Sequence, residues 1–358
     1  MSKRITFVTH GSKQLGMGHV MRCCSLAEAF RQNGWEVFFL SKFYLGGELI
    51  RQKGFLVEVL EKEESKEASD GFYFGKTEEL RSDIEWISSV LSKQKTDVIC
   101  LDSYNVNPWF LKELKKLTPC LVYLDDLAAW DYPVDIILNP NVDAKEKGYA
   151  QFKNQQKQLL GLAYCLLREE FSNLPKREAK EDIKDFLITT GAADPWIMTE
   201  ACLELCQQIC PEAVYHLIIG NAFQKQEEWA KKASGQIRIY QSPQAMSEIM
   251  LQCDVAVSAG GSTLYELAAC GVPTLAFLYS ENQRGVVEYF SERELLVNMG
   301  EFQNIRDKEK RAVERFSMGW NEIRSQKRRQ DIIEKQQSLF DGKGRNRVVK
   351  EIEEFLKR

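Results

Sequence analysis

Residues 254–275 read DVAVSAGGSTLYELAACGVPTL and contain a strand, a loop, a helix and a turn in succession. An apolar run ends at Ser258, two glycines follow, and a short helix is predicted from Ser262 to just before Gly271. A second apolar run begins after Pro273. A buried strand that leads through glycines into a helix and then into another strand is typical of a parallel α/β sheet.

The glycine loop of this stretch is also a candidate nucleotide site. The backbone N–H groups of Gly261, Ser262 and Thr263 would point outward at the start of the helix, where a diphosphate binds well. Gly260 adds a second position without a side chain. Glu266, one turn into the helix, could accept hydrogen bonds from two ribose hydroxyls, but Thr263-x-x-Glu266 also matches a capping box. Both interpretations of Glu266 stay open.

The same alternation of strands and helices extends over most of the chain. It predicts two Rossmann-like domains at 1–160 and 183–340, a linker at 161–182, and a C-terminal helix at 341–358 that packs back across the domains. Ligands of open α/β sheets bind at the carboxyl ends of the strands, so we expect the two domains to face a central cleft. The predicted strands are 5–10, 36–41, 55–60, 97–102, 120–125, 134–138, 186–190, 213–219, 237–240, 254–258, 274–278 and 295–298.

Composition excludes several classes of protein. The 358 residues are 44% hydrophobic and 28% charged, as in a soluble protein of two domains. A net charge of −4 argues against a nucleic-acid partner, and no apolar run is long enough to span a bilayer. The ten cysteines mostly lie in apolar runs, which predicts buried thiols in a reducing cytoplasm, without a signal segment.

A second glycine-rich loop follows the first predicted strand and ends in a histidine. Gly16, Gly18 and His19 form Gly-x-Gly-His at the start of a helix, but Met21 stands where a dinucleotide fingerprint has Gly or Ala. The positive end of the helix favours a neutral imidazole, so His19 is a candidate general base. The alternative is a helix-start residue bonded to a neighbouring carbonyl. His10 is a weaker candidate base, and His216 lies inside a strand.

Other predicted strands also end in polar side chains. They are Asp102 and Tyr104 in LDSYN, Asp125 and Asp126 in YLDDL, and Asn282 and Gln283 in SENQ. Adjacent aspartates suggest a metal, yet the sequence offers no third ligand and no Asp-x-Asp. We therefore favour polar or structural roles for the two aspartates and expect neither a metal nor another cofactor.

Several motifs together resemble one known family. They are GMGHVMRC, LDSY, LDDLA, LLGLAYCLLREEF, TTGAADP and SAGGSTLYELAACGVPTL, in register from residue 4 to about residue 348. They are similar to the PseG/SpsG nucleotide-sugar hydrolases, which have the GT-B fold and are related to the glycosyltransferase MurG. The resemblance implies a hydrolase that releases UDP and free sugar from UDP-2,4-diacetamido-2,4,6-trideoxy-β-L-altropyranose, for pseudaminic acid or surface polysaccharide biosynthesis.

The resemblance also implies roles for particular residues. His19 would be the general base that activates water for inverting attack at the anomeric carbon. Uridine and diphosphate would lie on residues 260–263 and Glu266. Tyr104 and Asn282 would line the sugar end, and Arg168 would contact the substrate.

Two departures and three alternatives remain. Cys24 stands where the family usually has Leu, and Asn139-Pro140 replaces the usual Asp-Gln, which affects the expected sugar specificity. The insert at 61–76 would be a surface loop or a lid. A GT-B glycosyltransferase, a hydrolysing epimerase and a non-catalytic nucleotide-sugar sensor are the other functions that this sequence suggests, and the sequence does not determine the oligomeric state.

Overall fold

The computed structural model describes residues 2–12, 15–60, 77–191, 194, 198–220, 223–224, 226–303 and 310–358. The predicted insert at 61–76 lies outside the described residues. The chain forms two compact units, Met1–Glu169 with Lys343–Arg358, and Glu170–Gly342. The division after Glu169 falls within the expected linker at 161–182.

Unit 1 contains a seven-stranded parallel sheet in the order β3-β2-β1-β4-β5-β6-β7. The strands are β1 Arg4–Thr9, β2 Glu36–Ser41, β3 Leu56–Val59, β4 Val98–Asp102, β5 Cys120–Leu124, β6 Ile136–Asn139 and β7 Lys157–Leu160. The α-helices of unit 1 that precede unit 2 in the sequence are α1 Gly18–Gln32, α2 Tyr44–Gln52, α3 Thr77–Lys93 and α4 Pro108–Lys115. The edge strand β7 was not predicted, because KQLL has no β-branched residue and no alternating pattern.

Unit 2 repeats this architecture with a six-stranded parallel sheet in the order β10-β9-β8-β11-β12-β13. Its strands are β8 Asp185–Thr189, β9 Val214–Ile219, β10 Ile237–Gln241, β11 Val255–Ala259, β12 Thr274–Leu278 and β13 Val297–Glu301. Its helices are α5 Met198–Ile209, α6 Gln226–Ala230, α7 Met246–Gln252, α8 Thr263–Ala269, α9 Arg284–Glu292, α10 Lys310–Ile323 and α11 Gln326–Leu339. The predicted α/β class and the two Rossmann-like sheets are confirmed.

The final helix, α12 Gly344–Phe355, belongs to unit 1 and packs against α1. Val348, Val349 and Ile352 of this helix are at most 2% exposed and lie in the same apolar core as Phe30. Trp35 Nε1 donates to Glu353 Oε1 at 2.9 Å. Helix α12 is therefore part of the core of unit 1.

The predicted buried thiols are found in both units. Cys23 and Cys24 on α1, and Cys202 and Cys206 on α5, are at most 5% exposed. Burial raises the pKa of the Cys24 thiol to about 12, so it stays protonated at neutral pH. Within the part of the chain that the structure describes, no helix is both long and apolar enough to cross a membrane.

Candidate active site

The Gly-x-Gly-His loop joins the carboxyl end of β1 to α1. Gly16 has a φ of +74°, a conformation that glycine adopts without strain, and its N–H donates to Ser12 O at 3.0 Å. A Cβ at Gly16 or Gly18 would meet no described atom within 4 Å. The two glycines therefore leave open space directly before His19.

His19 is held by a buried aspartate from the neighbouring strand. Strand β1 pairs with β4, and this register places Thr9 beside Asp102 at the carboxyl edge of the sheet. His19 Nδ1 lies 2.6 Å from Asp102 Oδ1. The Asp102 side chain is fully buried, whereas 14% of the His19 side chain is exposed. The imidazole is thus fixed on its Nδ1 side.

Arg22, one turn after His19 on α1, bonds to two carboxylates. Its Nε and Nη2 lie 2.6 Å from the two oxygens of Asp102, and its Nη1 and Nη2 lie 2.9 Å from those of Asp126. Burial alone would raise the pKa values of both aspartates, but the Arg22 charge outweighs burial and holds them below their usual range. Both carboxylates are therefore ionised at neutral pH.

Tyr104 completes the group of side chains around His19. Its hydroxyl donates to Asp126 Oδ2 at 2.7 Å, and its ring meets the His19 ring edge to face, with 4.7 Å between centroids. Burial and the Asp126 charge raise the Tyr104 pKa well above its usual value, so the phenol stays neutral. The predicted site residues His19 and Tyr104 are thus brought together by Asp102, Arg22 and Asp126.

The adjacent aspartates of LDDLA have different partners. Asp125 is buried and accepts from the hydroxyls of Tyr132 at 2.9 Å and Tyr149 at 2.6 Å. Asp126 instead faces Arg22 and Tyr104. Among the residues that the structure describes, no group of three or more His, Cys, Asp or Glu could hold a metal ion. The aspartates have the polar and structural contacts that we favoured.

Asn139, at the departure from the family pattern, is fully buried. Its Nδ2 donates to the Tyr149 hydroxyl at 2.8 Å, and its Oδ1 accepts from Asn141 N at 3.0 Å. Asn141 in turn donates from Nδ2 to Asp126 Oδ1 at 2.7 Å. Asn139 therefore supports the network from inside the sheet, and its buried side chain is unsuited to contact a sugar directly.

The glycine loop of unit 2 connects β11 to α8. Gly260 is buried and its N–H donates to Phe277 O at 2.8 Å, whereas Ser262 is exposed. A Cβ at Gly261 would meet no described atom within 4 Å. Ser262 is the N-cap and Thr263 the first helical residue, so Thr263 and Glu266 do not occupy the N-cap and N3 positions of a capping box.

The remaining predicted site residues are spread over both units. Glu266 is partly buried in the first turn of α8. Gln283 is 8% exposed, and its Oε1 accepts from Tyr279 N at 3.1 Å, which stabilises the turn after β12. Asn282 lies in the same 3₁₀ turn, Glu281–Gln283. Arg168 is half-buried near the end of the first segment of unit 1.

The other two histidines have hydrogen-bond partners of their own. His10 Nδ1 accepts from Lys42 N at 3.1 Å, and burial together with Lys42 lowers the pKa of His10 to about 4. His216 is fully buried in unit 2, with Asp185 Oδ1 at 2.8 Å and the Tyr240 hydroxyl at 3.0 Å from its ring nitrogens. Both rings have structural partners.

Sequence comparison finds distant relatives. No protein-family model matches the chain. The chain is 27% identical over 294 residues to an uncharacterized protein of Methanocaldococcus jannaschii, a match that covers 78% of the chain but only 57% of that relative. It is 22% identical over 306 residues to the spore coat polysaccharide biosynthesis protein SpsG of Bacillus subtilis, over 81% of each. It is 21% identical over 296 residues to the UDP-2,4-diacetamido-2,4,6-trideoxy-beta-L-altropyranose hydrolase of Campylobacter jejuni, over 81% of the chain and 97% of the relative.

Solved structures share the fold over the whole chain. MurG of Acinetobacter baumannii matches with a TM-score of 0.68 at 12% identity, over 98% of this chain and 99% of MurG. The S. aureus MnaA–UDP co-structure matches with a TM-score of 0.61 at 12% identity, over 99% and 97%. At such identity the structural likeness shows the fold alone. The chain therefore has the fold of these proteins, the GT-B fold, and its sequence is similar to that of SpsG and of the Campylobacter jejuni hydrolase.

Proposed function

We propose that this protein is an enzyme that hydrolyses a nucleotide sugar, with His19 as the general base. We propose more specifically that the substrate is a UDP-linked 2,4-diacetamido-2,4,6-trideoxyhexose, which is hydrolysed with inversion to UDP and free sugar. One observation carries the role of His19: its Nδ1 is bonded to a buried carboxylate beside a loop whose glycines leave open space. The name of the Campylobacter jejuni relative supports the substrate class.

The chemistry needs one base and a stable leaving group. Water attacks the anomeric carbon, the bond from that carbon to the diphosphate oxygen breaks, and the proton of the water passes to His19 Nε2. UDP leaves as an ionised, weakly basic group, so its oxygen needs no proton from an acid. The Gly261 N–H donates to Ala259 O at 2.9 Å, contrary to the expectation from the sequence. We propose that the N–H groups at Ser262 and Thr263 bind the diphosphate and stabilise the charge that develops on it.

The Asp102 carboxylate supports this role of His19. Once His19 has taken a proton, the imidazolium lies 2.6 Å from an ionised carboxylate that is shielded from water. An opposite charge at this distance stabilises the protonated base. The Tyr104 ring contacts the imidazole edge to face, and we propose that Tyr104 also borders the sugar.

The test is hydrolysis of the UDP-linked diacetamido sugar in ¹⁸O-labelled water, followed by proton and phosphorus NMR. We expect ¹⁸O at the anomeric oxygen of the free sugar and none in UDP. Label in UDP would mean attack at phosphorus and would contradict the mechanism. Turnover that requires an added acceptor alcohol would indicate a glycosyltransferase instead.

The matched variants are His19→Ala and His10→Asn. His19→Ala should lower kcat by about 10²–10⁴ and leave UDP affinity unchanged, because a general base acts on the water and not on the nucleotide. His10→Asn keeps an acceptor for Lys42 N and should retain the wild-type rate. Full activity in His19→Ala together with loss in His10→Asn would move the base to His10.

A further inference from the structure

We propose that Asp102 and Arg22 are positioning residues that act together to hold His19 in one tautomer, with the proton on Nδ1 and the basic lone pair on Nε2. The geometry behind this proposal is the 2.6 Å contact between His19 Nδ1 and Asp102 Oδ1 and the bidentate bond from Arg22 to the same carboxylate. Its consequence for catalysis rests on the proposed function, but the tautomer itself does not.

Two neighbours compete for the same ring nitrogen, and their distances decide between them. His19 Nδ1 lies 2.6 Å from Asp102 Oδ1 and 3.2 Å from Arg22 Nη2. An ionised carboxylate only accepts hydrogen bonds, so an unprotonated Nδ1 would place two lone pairs 2.6 Å apart. A protonated Nδ1 donates to Asp102, and Arg22 Nη2 donates to the carboxylates at 2.6 and 2.9 Å instead.

Arg22 fixes the carboxylate that fixes the histidine. Asp102 is fully buried, and it accepts from Arg22 at both of its oxygens. The planar guanidinium also bonds both oxygens of Asp126, so its orientation is set by two strand ends at once. Rotation of Asp102 away from His19 would break the bidentate bond. Arg22 was not predicted as a site residue, although its spacing of three from His19 places both side chains on one helix face.

The neighbours of His19 predict different effects for the loss of each residue. The groups that face it are Asp102 on β4, Arg22 on α1, Asp126 after β5, Tyr104 and, at longer range, His10. The amide of Asp102→Asn can donate a hydrogen bond to Nδ1, which favours a proton on Nε2. Loss of the Arg22 guanidinium removes the bidentate bond to the Asp102 carboxylate, so Asp102 can rotate and the two tautomers mix.

The test observes the tautomer of His19 directly by NMR, without substrate. Uniformly or selectively ¹⁵N-labelled protein gives long-range ¹H–¹⁵N spectra in which only three histidines appear, and His10→Asn and His19→Ala assign them. We expect wild-type His19 to carry its proton on Nδ1. Asp102→Asn should move the proton to Nε2 in most molecules, and Arg22→Gln should give a mixture of the two tautomers.

Matched controls separate positioning from general damage. Asp135 directly precedes β6 and lies at the amino edge of the same sheet, opposite the edge that carries Asp102. It accepts a hydrogen bond from Leu121 N at 2.9 Å and forms an ion pair with Lys115 at 2.8 Å. Asp135→Asn should leave the His19 tautomer unchanged. If Arg22→Gln does not fold, Arg22→Lys replaces it. This variant keeps the charge but cannot bond both carboxylates bidentately, so the tautomer populations should mix as well.

The outcomes distinguish this proposal from the proposed function. A proton on Nε2 in the wild type, or the wild-type tautomer in both Asp102→Asn and Arg22→Gln, would overturn the positioning role. If the tautomers are as expected, Asp102→Asn should also lower kcat at least 10²-fold. Absence of nucleotide-sugar turnover in a wild type with the expected tautomer would refute the function and leave the positioning intact.

Discussion

Two adjacent glycines of unit 2 should respond oppositely to the same added methyl group. A Cβ at Gly260 would stand too close to Val287 Cγ2 and 3.2 Å from Gln283 Cβ, whereas a Cβ at Gly261 would meet no described atom within 4 Å. Neither glycine has a positive φ, so alanine introduces no backbone strain at either position. Gly260→Ala and Gly261→Ala are therefore a matched pair that separates packing from ligand binding.

The magnitudes follow from these distances. Overpacking at Gly260 should lower the free energy of unfolding by about 1–3 kcal/mol, because Val287 and Gln283 must move. For a domain of 150–250 residues this lowers Tm by about 2–12 °C. Gly261→Ala should leave stability unchanged or raise it by up to about 1 kcal/mol, since alanine reduces the freedom of the unfolded chain.

The assay combines thermal unfolding with titration calorimetry of UDP. If the diphosphate lies against the loop at Gly261 and binds the N–H groups of Ser262 and Thr263, the methyl of Gly261→Ala occupies the space it needs, and we expect at least a tenfold weaker affinity at unchanged Tm. Wild-type UDP affinity in Gly261→Ala would refute the assignment of the nucleotide to this loop. An unchanged Tm in Gly260→Ala would refute the packing argument.

Two further predictions concern unit 1. Burial lowers the pKa of His10 to about 4, so between about pH 6.5 and pH 4 the unfolded chain binds a proton that the folded chain excludes. The free energy of unfolding should therefore fall by about 2–3 kcal/mol as the pH decreases through that window. Urea titrations measure this free energy, and in His10→Asn they should show a weaker dependence on pH. Asn139→Leu removes the donor to the Tyr149 hydroxyl, which keeps its bond to Asp125, and leaves the Asn141 N–H without its acceptor. It should lower stability by about 1–3 kcal/mol, while the ratio of kcat/KM between two nucleotide sugars stays unchanged. A changed ratio would return Asn139 to a role in sugar specificity.

The sequence was sufficient for the fold class because its signals are local. Apolar runs broken by glycines and helices predicted nearly every strand, and they failed at β7, where Lys157, Gln158 and two leucines form an edge strand. Such a strand depends on its pairing with β6, which a single segment does not reveal.

The contacts within the site were harder to predict, because they depend on strand order. His19 and Asp102 are 83 residues apart; the sequence indicated His19 at the start of a helix and Asp102 at the end of a strand. Their pairing requires β1 to lie beside β4, which is a property of the whole sheet. Gln283 was predicted to be a candidate polar contact, and only the structure shows its bond to Tyr279 N.

The discontinuity of unit 1 has a consequence for protein synthesis. A ribosome makes residues 1–169 first, then all of unit 2, and only then the helix at Gly344–Phe355 whose Val348, Val349 and Ile352 fill the core beside Phe30. Until this helix has been made, the apolar core of the unit that carries His19 is incomplete, whereas the contiguous unit 2 can complete its own fold. Domains usually fold in the order of their synthesis. In this chain we expect unit 2 to fold before unit 1, and we expect the incomplete apolar core of unit 1 to need chaperone protection until then.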